Sequence, residues 1–205
     1  SYKTIIQGLC VHGRLIKANE FLLCMLEKSM VPETIMWNLI IDGYGRHGDL
    51  NNAFSVRDWM SSFGVGPNVY TYNAFIFAQV KGGNIVDAYS TIKEMLLNGL
   101  SPDMITYNLL IGAACNMGHI RFAWQLFDEI LRWGYEPDII TYTQLIKGYC
   151  MRGNMKAAVA LLAKVQHSDL PMDHLPFQIL IKKYCKMGEP DMALDLYEKW
   201  LTRQK

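Results

Sequence analysis

A period of thirty-five residues runs the length of the chain without an insertion, and it restricts the possible folds more than any other feature. Gly13, Gly48, Gly83, Gly118, Gly153 and Gly188 share one place in the period, and Ala18, Ala53, Ala88, Ala123, Ala158 and Ala193 share another. Ile6, Ile41, Ile76, Ile111, Ile146 and Ile181 form a third column. A fourth is aromatic throughout: Tyr2, Trp37, Tyr72, Tyr107, Tyr142 and Phe177. Four columns in one register define a tandem array, whose units are supersecondary elements too small to bury their apolar faces alone. The array fills 1–205 as one domain, with repeats at 1–33, 34–68, 69–103, 104–138, 139–173 and 174–205. Ser1 and Tyr2 align with Thr106 and Tyr107, so the first repeat reads as truncated, and the last closes three residues short. The chain is therefore expected to be a segment of a longer protein.

Within the repeat 104–138, apolar residues recur at helical spacing twice, over Tyr107, Leu110, Ile111 and Ala114 and again over Ala123, Leu126, Phe127, Ile130 and Leu131. The spacing predicts two short helices. Gly118 falls between them, where a helix end favours positive φ, and Gly134 ends the second helix ahead of Pro137. Thr106 is expected to be the N-cap of the first helix. The small side chain of the Ala column lets paired helices approach closely. The predicted fold class is all-α, a right-handed solenoid of about six stacked helical hairpins.

Composition and chemistry exclude several classes of function. Hydrophobic residues make up 51% of the chain but are spread at helical spacing, and none of their runs nears the ~18 residues of a membrane span. A formal net charge of +1 argues against general polyanion binding, which draws on accumulated Lys and Arg. Cys10, Cys115, Cys150 and Cys185 share one repeat place, and neighbouring copies should lie ~10 Å apart, too far for a disulfide. They are expected to be buried small hydrophobes in a reducing compartment, with Cys24 in a second helix. No Cys-x-x-Cys pair occurs and the five His are scattered, so no zinc site is expected.

Catalysis needs a convergent constellation, and the sequence offers no phosphate loop, His-Glu-x-x-His or Ser elbow. His12 and His47 share a place before the hairpin glycine, where a helix-terminal His complements the dipole. Asp128 and Glu129 sit with Arg132 on what reads as a solvated face. Neither an enzyme, a cofactor, a metal nor a small-molecule substrate is expected. One boundary is altered. Pro32-Glu33, Pro67-Asn68, Pro102-Asp103 and Pro137-Asp138 close four repeats, whereas the fifth ends Pro171-Met172-Asp173 and Pro176 stands where Thr is expected. A local change of path with little effect on either helix is expected there.

The motif Thr-Tyr-Asn-x-x-Ile at Thr71–Asn73 and Thr106–Asn108, its variant Thr141–Thr143, the period and the closing Pro-Asp resemble the pentatricopeptide repeat family over the whole chain. The uniform length resembles its pure class; the tetratricopeptide family differs in a period of thirty-four and a Trp-x-x-Leu-Gly pattern. The resemblance implies single-stranded RNA as partner, each repeat reading one base with two or three side chains. It assigns base reading to Asn38 with Asn68, Asn73 with Asp103, Asn108 with Asp138, and Thr143 with Asp173. Each is short and polar, able to bond a base edge. Lys3 with Glu33, and Gln178, depart from the pattern and are expected to read weakly or not at all. Ile35, Tyr70, Ile105, Ile140 and Leu175 match the place that wedges between bases, and Arg46, Lys81 and Lys186 match the phosphate-facing place that Val11, Asn116 and Met151 do not. The implied core is 5′-(C/U)UUG-3′. The resemblance further implies RNA processing, splicing, stability or translation in an organelle, the mitochondrion ahead of the chloroplast, with any protein partners or further domains outside this segment. A helical scaffold that holds a protein partner on its concave face is the alternative.

Overall fold

The structure, a computed structural model, describes residues 2–168, 170–171 and 173–203, Arg203 by its backbone alone. Ser1, aligned with Thr106, and Met172 in the altered loop lie outside the described residues. The helices are α1 (Tyr2–Val11), α2 (Leu15–Glu27), α3 (Thr34–Arg46), α4 (Leu50–Ser62), α5 (Val69–Lys81), α6 (Ile85–Leu97), α7 (Met104–Asn116), α8 (Ile120–Arg132), α9 (Ile139–Met151), α10 (Met155–Gln166), α11 (Leu175–Met187) and α12 (Pro190–Arg203). Among the described residues there is no strand. None of the helices is long and apolar enough to cross a membrane. Each repeat thus holds two helices, most of thirteen residues or about 20 Å.

The chain forms two compact units, residues 1–106 and 107–205. In the first, α1, α3 and α5 stack side by side in the order of the chain, and α2, α4 and α6 each pack on the helix before them. Its core joins Ile6, Ala18, Leu22, Trp37, Ile40, Ile41, Ala53 and Met60, all of them buried. Phe54 stacks on Phe75 with ring centroids 4.6 Å apart, so the second hairpin is packed onto the third. In the second unit α9 packs against α8, α10 and α11, and α11 against α12. Leu110, Ile111, Ala123, Leu126, Leu145 and Ile146 are fully buried there.

The columns have physical counterparts. The Ala residues from Ala18 to Ala158 are fully buried and Ala193 nearly so, as close helix pairing requires. Gly118 has φ of +76°, which ends α7 and turns the chain into α8. Gly148 serves a different end: a Cβ there would stand 2.7 Å from Cys115 Sγ, so its absence lets α9 lie on the preceding first helix. The cysteine expectation is met in part. All five cysteines are free; Cys115 and Cys150 are buried and Cys10 and Cys24 half-buried, but Cys185 is exposed, because no described helix covers that face of α11.

Candidate functional site

The residues that the sequence singles out for base reading and wedging gather at the N-terminal ends of the first helices, and the basic ones in the last turns of those helices. At the N-terminal ends the second expectation needs correction, because Thr106 is not an N-cap. The helix α7 begins at Met104, so Thr106 lies inside the first turn and Asp103 occupies the capping place. Asp103 Oδ1 accepts the Thr106 backbone N–H at 2.8 Å, and Thr106 Oγ1 accepts that of Asp103 at 3.2 Å. Asn68 and Thr71 form the same reciprocal capping box at α5, at 3.1 and 3.0 Å. At α9 Asp138 accepts the Thr141 N–H at 2.8 Å. A local motif is read along the chain, and it names the hydroxyl residue as the cap although the preceding Asn or Asp holds that position.

The closing residue is therefore anchored by the helix that follows it, and in three repeats it reaches back to the expected reading residue of its own repeat. Asn38 Nδ2 donates to Asn68 Oδ1 at 3.0 Å, Asn73 Nδ2 to Asp103 Oδ1 at 3.3 Å, and Asn108 Nδ2 to both carboxylate oxygens of Asp138 at 3.1 Å. Three of the four expected pairs are thus brought together across thirty residues of sequence. The fourth is not. Thr143 Oγ1 donates to the carbonyl of Ile139 one turn back at 2.6 Å, and exposed Asp173 accepts the backbone N–H of Leu175 at 2.9 Å. The altered boundary also delays α11, which starts at Leu175 with Pro176 in its first turn.

The wedge column lies beside these pairs. Ile35, Tyr70, Ile105, Ile140 and Leu175 are 42–72% exposed, Tyr70 the most. Exposed apolar side chains scattered singly need no explanation, but one at the same place in five successive repeats is a column. The basic residues are less free than their places suggest. Arg46 pairs with Asp42 at 2.6 Å and lies over the Phe77 ring, while Lys81 donates to the Arg46 carbonyl. Lys186 is exposed in the last turn of α11.

Burial pushes the Cys115 thiol up to about 12 and the Cys150 thiol up to about 11, so both are protonated at neutral pH. Among the described residues no group of three His, Cys, Asp or Glu could hold a metal ion. The arrangement offers hydrogen-bond donors and acceptors beside apolar surface, which is chemistry for recognition.

No curated protein sequence matches the chain. Among solved structures, the maize pentatricopeptide repeat protein PPR10 is similar over 97% of this chain at 22% identity, with a TM-score of 0.75. PPR10 in complex with an 18-nt psaJ RNA element gives 0.68 over 98% of the chain at 23% identity. This chain spans 28% of the length of PPR10 in both. The PPR domain of Arabidopsis thaliana protein-only RNase P 1 in complex with tRNA gives 0.66 over 91% of this chain and all of that one, at 15% identity. Such likeness shows the fold, an all-α, right-handed solenoid of helical hairpins. The sequence matches the PPR repeat family over residues 32–78, 67–116 and 102–151, and the PPR repeat over 1–30, 140–170 and 176–204. With that match running from its first helix to its last, the chain belongs to the pentatricopeptide repeat family.

Proposed function

We propose that this chain binds single-stranded RNA, one base to a repeat, through the polar pairs at the starts of its first helices. The observation that carries the reading is their combination with the wedge column. In repeats two, three and four a hydrogen-bonded pair, Asn38–Asn68, Asn73–Asp103 or Asn108–Asp138, stands beside an exposed apolar side chain three residues ahead of its Asn. A base has an edge that demands donors and acceptors and a face that demands apolar or aromatic contact, and this combination offers both. Family members solved with an 18-nt psaJ RNA element and with tRNA support RNA as the partner. From the second repeat to the fifth the preferred bases are C or U, U, U and G. Arg46, Lys81 and Lys186 face the phosphates, with Arg46 exchanging Asp42 for a phosphate oxygen. The biological role is the processing, splicing, stability or translation of an organelle transcript.

Binding of an RNA carrying 5′-(C/U)UUG-3′, single-stranded and in duplex, tests this across a salt series. With three to five phosphates contacted, log affinity should fall against log salt with a slope of about −2 to −4, at ~0.7 per phosphate for single strands. The duplex should bind far more weakly, because pairing hides the edges that the Asn and Asp side chains would read. A flat salt response with equal binding of the duplex would overturn the proposal, and favour a scaffold for a protein partner.

A further inference from the structure

Each of the three closed pairs has a third member, and it comes from the next repeat. Thr71 Oγ1 donates to Asn38 Oδ1 at 2.6 Å, Thr106 Oγ1 to Asn73 Oδ1 at 2.6 Å, and Thr141 Oγ1 to Asn108 Oδ1 at 2.7 Å. All three threonines are fully buried. Each hydroxyl also lies near the closing residue, at 3.2 Å from Asn68 Oδ1 and 2.8 Å from Asp103 Oδ1 and Asp138 Oδ1. A hydroxyl has one hydrogen, and in every case the Asn oxygen is the nearer acceptor. We infer that Thr71, Thr106 and Thr141 are specificity-determining positioning residues, each of which locks the amide of the reading Asn in the repeat before its own. The inference rests on the base-reading proposal above.

What an amide can show to a base depends on how the amide is held. Asn carries a carbonyl oxygen and an NH₂ group on one planar unit, and rotation about its last bond exchanges donor for acceptor. A carboxylate only accepts, so Asp103 decides which end of the Asn73 amide faces it. That single tether leaves the plane free to turn. The Thr106 hydroxyl holds the opposite end, and two anchors fix the plane. One N–H and one carbonyl lone pair then remain for the base, in fixed places. Uracil and cytosine differ by this same exchange: uracil presents O4 and N3–H where cytosine presents N4–H₂ and N3. Opposite a carboxylate, as in repeats three and four, a fixed amide therefore tells them apart, whereas a turning one, or one facing another amide as Asn38 faces Asn68, can satisfy either.

The fifth repeat supplies the natural contrast. Its reading residue is followed, thirty-three positions on, by Pro176, which has no hydroxyl, and there the pair is not made. The hydroxyl and the closed pair are present together in three repeats and absent together in one.

The experiment compares two RNAs that differ only in U or C at the base of the third repeat, bound to the parent, Thr106→Val and Thr106→Ser. The parent should favour U at least about fivefold, the low end of what a good base-edge contact supplies. Thr106→Val keeps the shape and loses the hydroxyl, and should bring the two RNAs within about twofold of each other. Its U preference at the fourth repeat's base should stay at the parent level, because Thr141 is intact. Thr106→Ser should restore discrimination. If the valine variant does not fold, Thr106→Ala, which removes the same hydroxyl without adding volume, is scored in its place. Parent-like discrimination at the third base without the hydroxyl overturns the inference, as does equal loss at third and fourth bases. A parent that treats U and C alike overturns the base reading itself, and the inference with it.

Discussion

Repeats three and five are built to one plan and wired differently. In repeat three the reading Asn73 is held by Asp103 at one end of its amide and by Thr106 at the other. In repeat five Thr143 turns back onto its own helix, and Asp173 is spent on the start of α11. The closing residue does not account for this, since both repeats close with Asp. What differs is the reader, the longer Asn73 amide against the short Thr143 hydroxyl, and the helix that follows. Thr106 anchors Asp103 by its N–H and Asn73 by its hydroxyl, while the corresponding residue of the fifth boundary, Pro176, has neither a backbone N–H nor a hydroxyl to give. A pair inside one repeat is thus assembled by its neighbour.

Three measurements test this contrast. The largest effect is expected from Asn73→Ala combined with Asn108→Ala, which removes two held readers. The affinity for 5′-(C/U)UUG-3′ should fall by about 2–6 kcal/mol in sum, at ~1–3 kcal/mol per base-edge contact. Thr143→Ala should cost less than either single change, because its hydroxyl is already committed to Ile139. Titration of labelled RNA measures the parent and all four variants, and a Thr143→Ala loss as large as that of Asn73→Ala would overturn the contrast. Next comes Thr143→Asn, which should shift the last base from G to U by ~1–3 kcal/mol, with the other three unchanged. Adding Pro176→Thr should sharpen U over C. Competition between RNAs that differ only at that base decides it: if parent and variant prefer the same base, Thr143 is not a reader. The smallest effect is on stability. Asp138→Ala removes the cap of α9 and should cost ~1 kcal/mol, or about 2–4 °C in Tm for a chain of this size. Exposed Asp173 should cost less on the same substitution, and a thermal melt that ranks them the other way would count against the wiring described.

The fold was legible because four columns repeat an identical physical demand six times, so each helix and turn is specified redundantly. The two helices of each repeat and the buried Ala column follow directly. The part played by Thr71, Thr106 and Thr141 was not legible, for a reason of range. A motif such as Thr-Tyr-Asn is read against its immediate neighbours, and Thr106 there looks like a cap. Its hydroxyl instead reaches an Asn thirty-three residues earlier, a contact that exists only once two hairpins have stacked. A sequence signal did exist, since Thr stands two places before each reading residue of repeats three, four and five and Pro at that place in repeat six. Cys185 went wrong for a related reason: a column assigns equal burial to equal places, but burial depends on what lies over each one. The closing distances were likewise invisible. Nothing in a list of polar residues says that Asn73 bonds Asp103 while Thr143 ignores Asp173.

The threonine bond has a consequence for cutting and rejoining such arrays. A block of thirty-five residues such as 104–138 looks like a self-contained module, and it carries Asn108 and Asp138. It leaves Thr141 behind. Transplanted in front of a helix with Pro at the Thr141 place, it would arrive without its anchor. The portable cassette runs instead from reader to anchor, Asn73 to Thr106 or Asn108 to Thr141, and straddles the repeat boundary. Splice sites placed just after the threonine would keep each proposed reader with the residue that holds it still, whereas a cut after the closing residue would part them wherever the next helix lacks the threonine.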